Sequence, residues 1–194
     1  MYSFDEKFIN NHEILMEGAL LERLKREYNI SIDNDIGLAS AIRTEYSIKA
    51  IIEKNIEVEK LADDTANWQS DQAISKMTQW INKFGDKIEV VFSNNDVMAL
   101  GALHVINSTD IFTTKPLVVG IDGINEALEA VYNGEMIGTV ISDSKLQSKA
   151  IFDISYSLAK NNSVETIENL EKGKYIKTKH IKVTRENIKN FYRE

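Results

Sequence analysis

The sequence has no cysteine. That excludes disulfide staples, thiol nucleophiles and cysteine-based metal sites, and leaves the compartment open. Proline occurs once, at Pro116, and glycine only nine times in 194 residues, so no flexible linker divides the chain. No apolar run approaches the roughly 20 residues needed to cross a bilayer. Basic residues are in deficit, with 23 Lys and Arg against 30 Asp and Glu, a net charge of −7. A general nucleic-acid binder needs a basic face for the phosphates, so nucleic acid is not an expected partner. His12, His104 and His180 are scattered without metal-ligand spacing and read as surface or packing residues. The start, MYSFDEKFINNHEIL, lacks the basic stretch and apolar core of a signal peptide. There is no internal repeat.

What is present is an ordinary globular composition, 43% hydrophobic and 27% charged, long enough for one large domain or two small ones. Helical spacing runs through 13–27 (EILMEGALLERLKRE), with Ile14, Leu15, Ala19, Leu20 and Leu24 on one side. It returns at 39–54, where Ala41, Ile48, Ile51 and Ile52 align, and at 70–84, which should stop near Gly85. Further helices are expected at 96–106, at 124–134 closed by Gly134, at 145–161, and at 185–194. Strand patterns fall at 28–33, 56–61, 87–93, 116–122, 136–142 and 175–183. Strands alternating with helices predict an α/β fold, a mostly parallel sheet covered on both faces.

In such sheets ligands bind at the carboxyl ends of the strands. Polar residues collect there. VVFSNNDVMALGAL (90–103) breaks from an apolar strand into Ser93-Asn94-Asn95-Asp96 and restarts as a helix. Asp122 ends strand 116–122, and Ser142-Asp143 end strand 136–142. Arg43 follows the strand at 28–33, and Trp68 follows the strand at 56–61. A carboxylate accepts two hydroxyl protons, an amide donates and accepts, and a guanidinium donates in a rigid fork. An indole face can lie against the C–H face of a pyranose. Arg43, Trp68, Asn95 and Asp122 therefore form a kit for a polyhydroxylated ligand. Each residue alone has a plainer reading. Asp96 is more often a helix cap than a ligand group. Asp122 is evenly a turn residue of Asp122-Gly123 or a binding residue. Trp68 alone reads as partly buried packing, and Arg43 alone as a solvated helix residue.

DDTANW (63–68), KIEVVFSNNDVMALGAL (87–103), VVGIDGINEALEAVYNGEMIGTVISD (118–143) and IKVTRENIKNF (181–191) resemble the galactose/glucose-binding proteins of bacterial ABC transporters, which are type I periplasmic binding proteins. RTEYSIKAI (43–51) fits the same family. The resemblance covers roughly residues 37–194 and, weakly, 10–36. It implies a parallel-sheet lobe of a type I periplasmic-binding-protein-like fold. Residues 1–36 would be a residual helix and first strand, 37–143 the C-terminal sugar-binding lobe, and 144–194 a crossing helix, return strand and C-terminal helix. It also implies a monosaccharide ligand, an ABC permease and, in some relatives, a chemoreceptor as partners, and no catalysis. Arg43 would donate to sugar oxygens and Trp68 would stack, while Asn95, Asp122 and Ser142 would hold hydroxyls. Asn95 would face the ligand and Asp96 would start the helix.

Departures from the family pattern carry their own expectations. The first lobe is missing from the match. The family's Gly-His-Pro-Asp-Ala before the arginine is here Gly37-Leu38-Ala39-Ser40-Ala41-Ile42-Arg43, without the His and Asp ligands. Ser142 replaces a frequent Asn. Many relatives bind calcium through an oxygen-rich loop and a distant Glu; Glu89 matches that Glu, but LERLKREYN (21–29) lacks the alternating oxygen ligands. No cofactor and no tight calcium site are expected. The helix at 145–161 carries Leu146, Ala150, Ile151, Ile154 and Leu158 as a stripe that, in the family, packs on the first lobe. At about 25 cal/mol per Å² of apolar area, leaving such side chains exposed forgoes several kcal/mol, comparable with a domain's net stability. The chain is thus expected to be marginal, self-associating, or dependent on a partner such as a separately encoded N-terminal lobe. The family is periplasmic or cell-surface; the chain as written, without an export signal, is expected in the cytoplasm. Two other readings stand behind this one. NDxxAxG is shared with the ligand-sensing domains of lactose-repressor-like regulators, here without a DNA-binding head. An enzyme would need a nucleophile–base pair or metal cluster, and neither is legible.

Overall fold

The computed structural model describes residues 35–168, 170–171, 175–176 and 178–192. The helix expected at 13–27, the strand at 28–33 and the loop at 21–29 lie outside these residues. The chain divides into two compact units, residues 1–58 and 59–194.

In the first unit the described element is helix α1 (Asp35–Glu53), longer than the 39–54 pattern at its start. Ser47 Oγ donates to the Arg43 carbonyl at 2.8 Å, and Asn55, at φ 51°, ends the helical path. Residues 56–61 form no strand, contrary to the alternating pattern. Alternation fits a residue to a pleat but does not supply the neighbouring strand that a ladder needs. Ile56 and Val58 are exposed.

The second unit holds helix α2 (Ser70–Phe84), strand β1 (Val90–Phe92), helix α3 (Asp96–Asn107), strand β2 (Leu117–Val119), helix α4 (Asn125–Asn133), strand β3 (Gly138–Ser142) and helix α5 (Ser144–Ala159). A two-stranded hairpin of β4 (Leu170–Glu171) and β5 (Tyr175–Ile176) follows, then β6 (His180–Thr184). Helix α2 forms where the spacing predicts it, burying Ala73, Met77 and Ile81 and stopping on Gly85 at φ 57°. Helix α4 closes on Gly134 at φ 78°, a left-handed stop that glycine takes without steric cost. Strand β1 is shorter than expected because residues 85–87 make a 3₁₀ turn before it.

The sheet order is β1-β2-β3-β6, with β1, β2 and β3 parallel and β6 antiparallel to β3. The expected strand 175–183 splits in two. Its C-terminal part pairs with all five residues of β3, from Gly138↔Thr184 to Ser142↔His180, and its first part pairs with β4. The helix expected at 185–194 is instead a turn and one 3₁₀ turn at Ile188–Asn190. Asn187 explains this. Its Oδ1 accepts from Thr184 N–H and its Nδ2 donates to the Lys182 carbonyl, both at 2.8 Å, offering the backbone an alternative to a helix. Ile188 is buried, and Phe191 and Tyr192 pack against the core.

The core lies on one face of the sheet. Val91, Val118 and Val183 from the strands meet Met77 and Ile81 of α2, Ala99 and Ile106 of α3, and Val131 of α4. The opposite face carries Val90, Phe92 and Leu117, exposed at 42%, 55% and 47%. Two covered faces were expected. Strands β1, β2 and β3 follow each other in sequence order, however, so right-handed crossovers put α3 and α4 on the same side. Helix α5 buries no residue fully. Leu146, Ala150 and Ile154 of its expected stripe are half-buried, the first two beside Ile167 and Ile176, whereas Ile151 and Leu158 are 67% and 60% exposed.

Candidate functional site

Parallel strands bring their carboxyl ends to one edge, and three polar turns of the second unit lie there. The first turn corrects the expected cap, Asp96. Asn95 is the cap: its backbone is extended (φ −150°, ψ 167°) and its Oδ1 accepts from Met98 N–H at 2.9 Å. Asp96 points inward and is fully buried. Its Oδ2 accepts from Gly123 N–H at 2.6 Å and Ile124 N–H at 3.1 Å, and its Oδ1 from Thr139 Oγ1 at 2.7 Å. Either neighbouring side chain could cap the helix; long-range donors take the second one away.

Capping does not consume Asn95. The residue is 6% exposed, and its Nδ2 has no hydrogen-bond partner among the described residues. No buried side-chain nitrogen or oxygen among those residues lacks a partner, so Nδ2 is reachable from outside. The Nδ2 amide remains able to donate.

The second turn holds Asp122. Its N–H donates to the Val140 carbonyl at 2.8 Å, and its own carbonyl accepts from Ser142 N–H at 3.1 Å. This extends the β2–β3 ladder by one bridge, Asp122 to Ile141. Asp122 sits at φ 126°, a region that L residues rarely enter. The third turn holds Ser142 and Asp143, whose Oδ1 accepts from Leu146 N–H and caps α5 at 2.9 Å. Asp122 and Ser142 line one cavity of about 560 Å³ with Gly123, Asn125, Glu126 and Gln147. The lining therefore combines carboxylates, a hydroxyl and side-chain amides, groups able to accept and donate hydrogen bonds.

Trp68 is half-buried in the loop before α2, at φ 63°, and does not line this cavity. Arg43 belongs to the first unit, half-buried on α1. Glu89 is exposed just before β1, and its carbonyl accepts from Leu117 N–H. No group of three or more His, Asp or Glu side chains that could hold a metal occurs among the described residues. Glu126 and Gln147 were missed. Both sit in the first turn of a helix, four residues beyond Asp122 and Asp143, a spacing that would have marked them.

The loop bearing Trp68 is tied to α2 through Asp64, which accepts from Lys76 Nζ. That bond, and a second from Thr65 N–H, hold the Asp64 carboxyl below the usual aspartate range. Its contribution to stability is therefore present above the ordinary pKa of about 3.9 and lost as pH falls through the lower folded value. The Asp64 side chain is 42% exposed, so solvent screening keeps the pair near the ~0.2–1 kcal/mol of exposed ion pairs. Lys76→Met should cost about that much at pH 7, and the difference from the parent chain should shrink and vanish as acid protonates Asp64 below its lowered folded value, as read by urea denaturation at each pH. A difference that persists in acid would contradict the assignment.

Residues 19–163 match the periplasmic binding protein domain family. The chain belongs to that family, in its type I form. It is 35% identical to the xylitol-binding protein of Mycolicibacterium smegmatis over 148 residues, 76% of this chain and 42% of that protein. It is 35% identical to the D-galactose/methyl-galactoside binding periplasmic protein MglB of Haemophilus influenzae over 152 residues, 77% of this chain and 45% of that protein. The fold is similar to an ABC transporter solute binding protein from Bacillus halodurans with bound myo-inositol (TM-score 0.65, 28% identity, 92% of this chain and 61% of that one). It is also similar to a periplasmic solute binding protein of an ABC transporter from Actinobacillus succinogenes with bound D-allose (TM-score 0.66, 25% identity, 83% and 52%). The chain spans less than half the length of these two curated relatives. No helix among the described residues is long and apolar enough to cross a membrane.

Proposed function

We propose that this chain is the C-terminal lobe of a sugar- or polyol-binding protein serving an ABC importer, contributing one half of a ligand site and catalysing nothing. The observation that carries the reading is the cavity shared by Asp122 and Ser142 at the ends of β2 and β3; Asn95, which does not line it, follows β1 at the same edge of the sheet with its amide able to donate. Asp122 accepts ligand hydroxyls, Asn95 and Ser142 donate or accept, and Trp68 stacks on a ligand face. Residues 37–143 form the binding lobe, and 144–194 the crossing helix and its return.

The relatives support a polyhydroxylated ligand, since their names or bound molecules are xylitol, galactose, allose and myo-inositol. Those relatives are binding proteins rather than regulators, which favours transport over a ligand-sensing regulator. Leu38, Ala39 and Ser40 stand where the galactose/glucose pattern has its His and Asp, so the ligand need not be galactose or glucose. A membrane permease and a chemoreceptor are the macromolecular partners this role implies. The test is tryptophan fluorescence of the purified chain titrated with galactose, glucose, xylitol and myo-inositol, with size-exclusion chromatography on the same sample. A saturable change that disappears in Trp68→Ala supports the reading. A flat titration from a folded, monodisperse chain contradicts it; Trp80, which packs against the core, serves as the internal reference.

A further inference from the structure

We propose that Asp96 is the positioning residue of this site: its buried carboxylate sets the backbone of the Asp122–Gly123–Ile124 turn and so aims the Asp122 side chain at the ligand. The inference rests on the reading of Asp122 as a ligand group. Asp96 is fully buried, and its carboxylate gathers donors far apart in sequence. Gly123 N–H and Ile124 N–H converge on one oxygen at 2.6 and 3.1 Å, while Thr139 Oγ1, on β3, donates to the other at 2.7 Å. Bonds to a carboxylate are the strong kind, and three of them offset much of the cost of burying it.

The turn these bonds hold is the strained one. Asp122 lies at φ 126° and Gly123 at φ 73°. An L residue keeps such a conformation only where its surroundings over-determine it. On one side the ladder bonds to Val140 and Ser142 fix Asp122 against β3. On the other, Asp96 grips the next two amides. Asp122 is thereby clamped between them, and its Cα–Cβ direction follows from the clamp. The space for the carboxylate is reserved as well: a Cβ at Gly120 would lie 2.2 Å from Asp96 Oδ1. Asp96 touches no ligand in this account; it acts through the turn.

The experiment compares the 194-residue chain with Asp96→Ala, Asp96→Asn and Thr139→Val. It records the amide resonances and exchange rates of Gly123 and Ile124, the melting temperature, and the dissociation constants for xylitol and galactose. In Asp96→Ala both amide protons should move upfield, exchange about tenfold faster or more, and the dissociation constants should rise about tenfold or more at temperatures where the variant is folded. Asparagine can still accept both amides through Oδ1 and donate to Thr139, so Asp96→Asn should recover affinity to within about threefold. Thr139→Val, which loses one of the three bonds, should fall between. A role confined to stability would lower the melting temperature and leave affinity per folded molecule unchanged, and that result overturns the proposal. If Asp96→Ala does not fold, parental amides and affinity in Thr139→Val overturn it equally. If the parent chain takes up no polyol, the ligand reading fails on its own. The Gly123 and Ile124 amides then still decide whether Asp96 sets the turn.

Discussion

Asp122→Gly should weaken polyol binding by about 10–100-fold while leaving the fold at least as stable as it is now. The affinity loss is that of removing a charged hydrogen-bond acceptor from a site that uses it, about 1.5–3 kcal/mol. The stability side runs the other way. Asp122 occupies φ 126°, which costs an L residue on the order of 1–3 kcal/mol and costs glycine almost nothing. Glycine returns part of that gain through a more flexible unfolded chain, about 0.4–1 kcal/mol. The net change in denaturation midpoint should be zero or upward. Binding titration and urea denaturation of the same preparation check both halves. A large loss of stability with intact affinity would make Asp122 a turn residue and nothing more.

Ile106→Ala should do the opposite. Ile106 is fully buried on α3, in the cluster with Met77, Ile81 and Val118. Truncating a buried Ile to Ala typically costs about 2–5 kcal/mol, from lost transfer energy and the cavity left behind. Domains hold only about 5–15 kcal/mol in total, so a large share of the stability goes. Ile106 lies one residue before the end of α3, three helical turns from the strand-end edge where Asn95 caps that helix. Folded Ile106→Ala molecules should therefore bind with unchanged affinity, read by titration at low temperature, while the urea midpoint drops sharply. Together the two variants separate the site from the core that carries it.

Elements whose signal is local were legible in the sequence. Ala73, Met77 and Ile81 repeat every four residues and Gly85 stops the helix, so α2 could be placed to the residue. Asp122 and Ser142 could be placed at strand ends because their strands are short apolar runs bounded by polar residues. What escaped depends on distant partners. Asn95 and Asp96 are adjacent and equally able to cap a helix; the donors that claim Asp96 come from 27, 28 and 43 residues away. The alternating stretch at 56–61 carries a strand's pattern without a ladder. At 185–194 the helical spacing of Ile188, Phe191 and Tyr192 is real, and all three contact the core, but Asn187 turns the chain before a helix can propagate. Glu126 and Gln147 reach the cavity only because α4 and α5 begin at its rim.

A polyhydroxylated ligand at the carboxyl edge of the β1–β2–β3 sheet should leave its mark on the amides there. Backbone amide NMR of the labelled chain, titrated with xylitol, galactose and myo-inositol, tests this most directly. Saturable shifts are expected at Trp68, Asn95, residues 122–126 and residues 142–147, with the core amides around Ile106 and Val118 unmoved. Shifts absent at millimolar ligand, or spread over the exposed face of Val90, Phe92 and Leu117 instead, would contradict it.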